Sequence, residues 1–319
     1  MDTNYQESVK ELLHMKGGIA MEDTIQREEV IDREKDISYL EIYDITTRTI
    51  ETVCRFDYLI EAPNWSQDGR SLYYNSKGNI YRYDLETKCS TQLEIGFATR
   101  CNNDHVLSPC GKYMGISHEA KEDGQPHIYI IPIQGGNPTL ITAIGPSYLH
   151  GWSNDGKTLV YTGIRNGEAD IYAILAVGGE EKQLTFTPNL NDGSEYDWKD
   201  EYIWYNSVQT GLMQVWKMRP DGSDQRQITY DENWNTWFPH VAPDHSKVVT
   251  ISYKKEDIDP QDHPPHKNVE IRMMNLDGTN QEVLVQLFGG QGTINVNSWA
   301  PCSTKFAYVR YELPKTESR

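Results

Sequence analysis

The sequence predicts an all-β fold, a six-bladed propeller, on three observations. The stretch Leu149 to Thr185 has the pattern of a small four-stranded antiparallel sheet. That unit recurs six times along the 319 residues. The two ends of the chain each hold one half of the unit, so that joining them completes a ring. One such sheet cannot bury both of its faces alone, and a period of roughly 40 to 45 residues with four strands each is what blades stacked around an axis require.

Within the unit, a short apolar strand ends at Trp152-Ser153 and meets the turn Asn154-Asp155-Gly156. Lys157 to Thr162 then alternates as a second strand, and Asn166-Gly167 breaks the chain again. Ile171 to Ala176 supplies a β-branched and aromatic third strand, Gly178-Gly179 turns it, and Glu181 to Thr185 closes as a fourth. Sliding this pattern along the chain places its anchor, the position of Ser153, at Ser66, Ser108, Ser153, Asp197, Ala242 and Ala300. The first turn is Asp68-Gly69, Cys110-Gly111 and Asp155-Gly156 in three blades, and it is worn to Lys199-Asp200, Asp244-His245 and Cys302-Ser303 in the others. One residue before the anchor stand Trp65, Leu107, Trp152, Tyr196, Val241 and Trp299, which read as packing between blades.

The chain divides into an extension, residues 1 to 36, and one propeller, residues 37 to 319. Glu7 to Met15 has helical spacing and Glu22 to Asp36 is charged and weakly periodic, so the extension reads as helical or disordered. Tyr39 to Tyr43 and Thr49 to Cys54 look like a third and fourth strand with no first and second before them. Asn295 to Ala300 and Lys305 to Tyr311 look like a first and second strand with nothing after them. Pairing these halves two plus two removes the open sheet edge.

These repeats resemble the TolB-type six-bladed propellers, whose blades carry a Trp-Ser-Pro-Asp-Gly turn, an Ile-Tyr third strand and a terminal Leu-Thr. The matching pieces are Trp65-Ser66-Gln67-Asp68-Gly69, Ser108-Pro109-Cys110-Gly111, Trp152-Ser153-Asn154-Asp155-Gly156, Ile128-Tyr129, Ile171-Tyr172 and Leu184-Thr185. The resemblance covers residues 37 to 312 and implies the fold. For function it implies a choice, because such propellers serve as protein-binding partners, as gates of peptidases and as enzymes similar to oligogalacturonate lyases.

Composition narrows the partners. The chain has 30 Lys and Arg against 47 Asp and Glu, a net charge of −17, which repels phosphate backbones and anionic lipid, so neither nucleic acid nor membrane is expected. No GxSxG elbow, HExxH, P-loop or EF-hand loop is present. Five cysteines without a CxxC fit a reducing compartment, and the expected location is the cytoplasm. A periplasmic location is the alternative.

What remains is the channel. Each first strand lines it, and the lead-ins to those strands share one face of the disc with the loops joining second to third strands. Seven of nine histidines fall on that face: His105, His150 and His240 at lead-ins, His118, His127, His263 and His266 in loops. Three residues before the anchor stand Pro63, His105, His150, Ser194, Pro239 and Asn297, and two before stand Asn64, Val106, Gly151, Glu195, His240 and Ser298. His105, His150, Glu195 and His240 therefore read as a candidate shell for one divalent transition metal, with Asp104, Asn102, Asp192 and Gln291 orienting them. Trp234, Trp237, Phe238 and Tyr148 suit sugar faces, Arg100, Arg165 and Lys267 form a local positive rim, and the polar insertion Lys254 to Lys267 reads as a lid over the mouth. The expected function is binding of a protein, peptide or small polar ligand at this mouth. The alternative, implied by the resemblance to oligogalacturonate lyases, is a metal-dependent carbohydrate-active enzyme acting on an oligosaccharide, in which a metal neutralises a uronate carboxylate and a histidine or lysine removes the proton beside it.

Overall fold

The computed structural model describes residues 33–314. Its strands form five four-stranded sheets and one three-stranded sheet, each antiparallel. Blade 1 comprises Glu61–Trp65, Ser71–Ser76, Asn79–Asp84 and Cys89–Gln92, and blade 3, the reference unit, comprises Ser147–Trp152, Thr158–Arg165, Glu168–Leu175 and Lys182–Gln183. Blades 2, 4 and 5 begin with Cys101–Leu107, Asn191–Tyr196 and Trp234–Val241.

Blade 6 joins the two ends of the chain. Ile37–Asp44 pairs along its whole length with Lys305–Glu312, from Ile37 opposite Glu312 to Asp44 opposite Lys305, and Thr49–Phe56 lies outside it. The expected innermost strand at 295 to 300 is reduced to one bridge, Trp299 to Phe306. Here side chains compete with the ladder for backbone donors: Asn295 Oδ1 accepts from the Gly292 amide at 2.7 Å and Asn297 Oδ1 from the Trp299 amide at 3.0 Å.

Six apolar clusters hold the ring; five straddle two neighbouring blades and one reaches across three, blades 4, 5 and 6. Leu40, Ile42 and Val309 of blade 6 pack on Leu72, Tyr74 and Tyr83 of blade 1. The series continues around to Trp237, Ile251 and Ile271 of blade 5 against Tyr43, Phe306 and Tyr308 of blade 6. Each buried aliphatic side chain contributes about 1.5 to 3 kcal/mol, and no blade has a core of its own, so stability belongs to the closed ring.

The turns explain how diverged repeats keep one geometry. In all six blades the amide three residues after the anchor donates to the anchor carbonyl, from Gly69 to Ser66 at 3.0 Å through Ser303 to Ala300 at 2.9 Å. That residue is left-handed throughout: Gly69, Gly111 and Gly156 where the motif is intact, and Asp200 (φ 55°), His245 (φ 60°) and Ser303 (φ 60°) where it is worn.

Of the extension expected at residues 1 to 36, all up to residue 32 lies outside the described residues. Its end is docked: Arg33 pairs with Glu61 at 2.9 Å, and Asp36 bonds His266 at 2.6 Å.

Candidate functional site

The first strands of the blades are bulged, and the bulges decide which side chains enter the channel. Between Glu61 and Asn64, Asp192 and Glu195, and Trp237 and His240, three steps on the inner strand face two on its neighbour, and the residue inside each bulge, Ala62, Gly193 or Phe238, is left-handed. In blade 2 the irregularity spans Cys101 to His105, and in blade 3 it lies between Leu149 and Gly151. The alternation of faces is reset alike in blades 1, 4 and 5 and differently in blades 2 and 3. Asn64, Val106 and Glu195 line the channel from two residues before the anchor, whereas His150 and Asn297 do so from three.

This separates the four histidine and glutamate positions expected to converge. His105 is fully buried, beside the backbone of Ala62 and Tyr73 of blade 1, and takes no part in lining the channel. Burial pushes its pKa down to about 4, with those backbone groups offsetting part of the effect. His240 spends both ring nitrogens, Nδ1 on Glu195 Oε2 at 2.7 Å and Nε2 on the Ile294 carbonyl at 3.0 Å. Among the described residues no group of three or more His, Cys, Asp or Glu is arranged to hold a metal ion. The expected shell does not assemble as a ligand set, because the bulges turn one member away and hydrogen bonds occupy another.

What assembles instead is a buried polar network. His150 Nε2 lies 3.0 Å from Asp192 Oδ1, and its Nδ1 is 3.9 Å from Asp104 Oδ1. Thr162 donates to Asp192 at 2.6 Å, and Asn102 donates to Asp104 at 2.6 Å. Burial pulls the His150 pKa down, but the charges of Asp104, Asp192 and Glu195 outweigh it and the net shift is upward. Asp192, which burial alone would raise, is held well below the carboxylate range by His150, with smaller contributions from His263 and Thr162. Asn297 Nδ2 donates to Glu195 Oε1, and Asn64 Nδ2 donates to the Asn297 carbonyl at 2.5 Å.

The cavity in the channel reaches the face opposite the one the histidines suggested. A cavity of about 80 Å³ is lined by Asn64, His150, Glu195 and Asn297, and it runs out past Trp65, Trp152 and Trp299 to Gln67, Pro109, Asn154 and Trp198. These last four directly follow their anchors and are exposed or half-buried, so the mouth opens on the face of the tight turns. At the lead-in end, the insertion at 254 to 267 is mostly exposed or half-buried and turns its one buried residue, His263, onto Trp237 and Phe238, with ring centroids 4.5 and 5.2 Å away. Behind it, Gln291 is 4% exposed, and its carbonyl accepts from Arg33 at 3.2 Å.

The remaining sequence-predicted residues sit elsewhere. Trp237, Phe238 and Tyr148 are buried in the core and offer no ring to a sugar. Arg100 is spent on Glu119 at 2.7 Å and on a backbone carbonyl. Sequence reasoning passed over Gln67, Asn154 and Trp198, although they stand where Pro109 keeps the regular motif, and that departure was a usable signal.

With this geometry in view, an uncharacterised protein of Agrobacterium fabrum is 46% identical over 275 residues, covering 86% of this chain and 92% of its own. A solved structure from Agrobacterium tumefaciens, provisionally named TolB, superposes with a TM-score of 0.83 at 44% identity, over 88% of this chain and 99% of that one. This chain belongs to the TolB-like propellers. The Tol-Pal system protein TolB of Francisella tularensis is 25% identical over 256 residues, 77% of this TolB-like chain and 55% of the relative, so the chain spans about half the length of that curated TolB. An oligogalacturonate lyase in complex with manganese shares the fold at 15% identity, with a TM-score of 0.50 over 78% of this chain and 67% of that one. No family model matches. Among the described residues no helix is long and apolar enough to cross a membrane; the cytoplasmic expectation gains no support from that.

Proposed function

We propose that this TolB-like propeller is a binding module that takes one polar side chain of a partner protein into the tight-turn mouth of its channel. The observation that supports this reading is the cavity itself. Its floor offers Asn64, His150, Glu195 and Asn297, and its wall is a collar of Trp65, Trp152, Trp198 and Trp299. Apolar rings around a few oriented polar groups are what anchor a partner residue at an interface. A volume of about 80 Å³ holds about two or three waters or one modest side chain, which favours a protruding residue over an oligosaccharide unit. The likeness to Tol-Pal system proteins fits a protein partner. The metal-dependent carbohydrate reading has no comparable support, since its ligands do not converge and the lyase likeness carries the fold alone.

The test is selection of peptides from a random library on the immobilised protein, followed by affinity measurement against Asn64→Ala and Gln67→Trp. Gln67 is exposed at the rim, so its replacement blocks the mouth without touching the core. The selected peptides are expected to lose tenfold or more in affinity, about 1.4 kcal/mol. Unchanged affinity for both variants overturns the reading.

A further inference from the structure

A second cavity, of about 510 Å³, lies away from the channel at the outer rim of blade 2. Its walls are Phe97, Tyr129, Leu140 and Ala143, and His118 forms part of its lining. Phe97 is 52% exposed and Leu140 50%, so two large apolar side chains stand half out of the surface with a hollow between them. Three rings meet there edge to face or tilted: Phe97 and His118 at 5.8 Å, Phe97 and Tyr129 at 5.7 Å, His118 and Tyr129 at 5.6 Å.

One polar atom in this wall is aimed and unspent. His118 is 4% exposed, and its Nδ1 accepts from the Arg100 amide at 3.2 Å. An accepting Nδ1 places the proton of a neutral ring on Nε2. Burial, aided by the Arg100 charge, holds the imidazole below its ordinary pKa, which keeps the ring neutral near pH 7. Among the described residues Nε2 has no hydrogen-bond partner. The acidic groups around it have partners: Glu119 pairs with Arg100 at 2.7 Å, and Asp123 hydrogen-bonds His127 at 2.8 Å. Exposed Lys121 and Glu122 stand side by side with opposite charge. The pocket therefore presents an apolar hollow and one neutral N–H donor, with carboxylates of Glu122 and Asp123 at its edge that disfavour an anion, and its size is that of a small-molecule site.

We propose that this rim pocket is a second ligand site, for an uncharged ligand that carries an aromatic ring and a carbonyl. The ring packs between Phe97, Tyr129 and Leu140, and the carbonyl oxygen accepts from Nε2 of His118. The site is independent of the channel reading and stands or falls separately.

The probe is N-acetyl-L-phenylalaninamide, titrated into ¹⁵N-labelled protein. N-acetylglycinamide serves as the control without a ring, and N-acetyl-L-phenylalanine as the control with a carboxylate. The amide probe is expected to shift the signals of Phe97, His118, Tyr129 and Leu140 with a Kd of about 1 mM, the range for a ligand of this size. The ringless control leaves them in place, and the carboxylate binds at least threefold more weakly beside Glu122. His118→Phe, which keeps the ring packing and removes the donor, is expected to weaken the amide probe about tenfold. Phe97→Ala, at a half-exposed position that the fold tolerates, weakens it as much by removing the wall. Absent shifts with the amide probe, equal shifts with the ringless control, or undiminished affinity in both variants overturns the proposal.

Discussion

Asp192 Oδ1 lies 3.0 Å from Nε2 of His150, and the two side chains are 2% and 5% exposed. Each depends on the other for the solvation that burial removed. Replacing Asp192 with Asn removes one of the carboxylates that balance the histidine, with Asp104 remaining 3.9 Å from its Nδ1, and is expected to cost about 1 to 3 kcal/mol, the penalty for a buried polar group that loses a partner.

The same pair has a pH signature. The His150 pKa is raised above its ordinary 6.5, so its stabilising contribution is complete below about pH 6.5 and is lost as pH rises through the folded value. The Asp192 pKa is depressed below its ordinary 3.8, so its contribution is complete above about pH 4 and is lost only in stronger acid. Urea midpoints measured from pH 5 to 9 should fall on the alkaline side in the parent protein and stay flatter in Asp192→Asn. Parallel slopes would sink the assignment.

His105 predicts the opposite slope. Its pKa falls from 6.5 to about 4 on complete burial, so the unfolded chain takes up a proton near pH 6.5 that the folded chain refuses until about pH 4. Stability attributable to this ring is complete above pH 6.5 and drops by about 3 kcal/mol across that interval. A His105→Gln variant, whose side chain does not titrate, should lose less stability than the parent between pH 6.5 and 4, read as the change in urea midpoint.

The turns allow a matched pair of substitutions. Gly156 has φ 75° and open space around the site of a Cβ, so Gly156→Ala tests conformation alone and should destabilise by about 1 kcal/mol. His245 holds the equivalent position at φ 60°, and His245→Gly should be neutral or stabilising by up to about 1 kcal/mol. Thermal melts of both variants check this, and a destabilising His245→Gly would show that its side chain contributes more than the turn costs it.

The blades were legible because their signals are local. Alternation, a turn residue and a β-branched third strand act over a few residues, so Leu149 to Thr185 announced its four strands without reference to the rest. The mouth was not legible, and the bulges are the reason. His105 and His150 occupy the same position relative to their anchors, yet one is sealed beside blade 1 and the other faces the channel. An inserted residue flips every side chain beyond it, and nothing in the spacing of blade 2 distinguishes its irregularity from that of blade 3.

Sequence alone determined the number of blades, the tight turn after each anchor and the meeting of the two chain ends in one sheet. These follow from hydrogen bonding and backbone sterics that each segment satisfies for itself. Only the tertiary structure decided which side chains line the channel cavity. The insertion packs His263 onto Trp237 and Phe238, and the Asp192–His150 pair takes its altered titration from charges on neighbouring blades. Burial and electrostatic coupling are set by residues distant in the chain, and they exist only once the ring has closed.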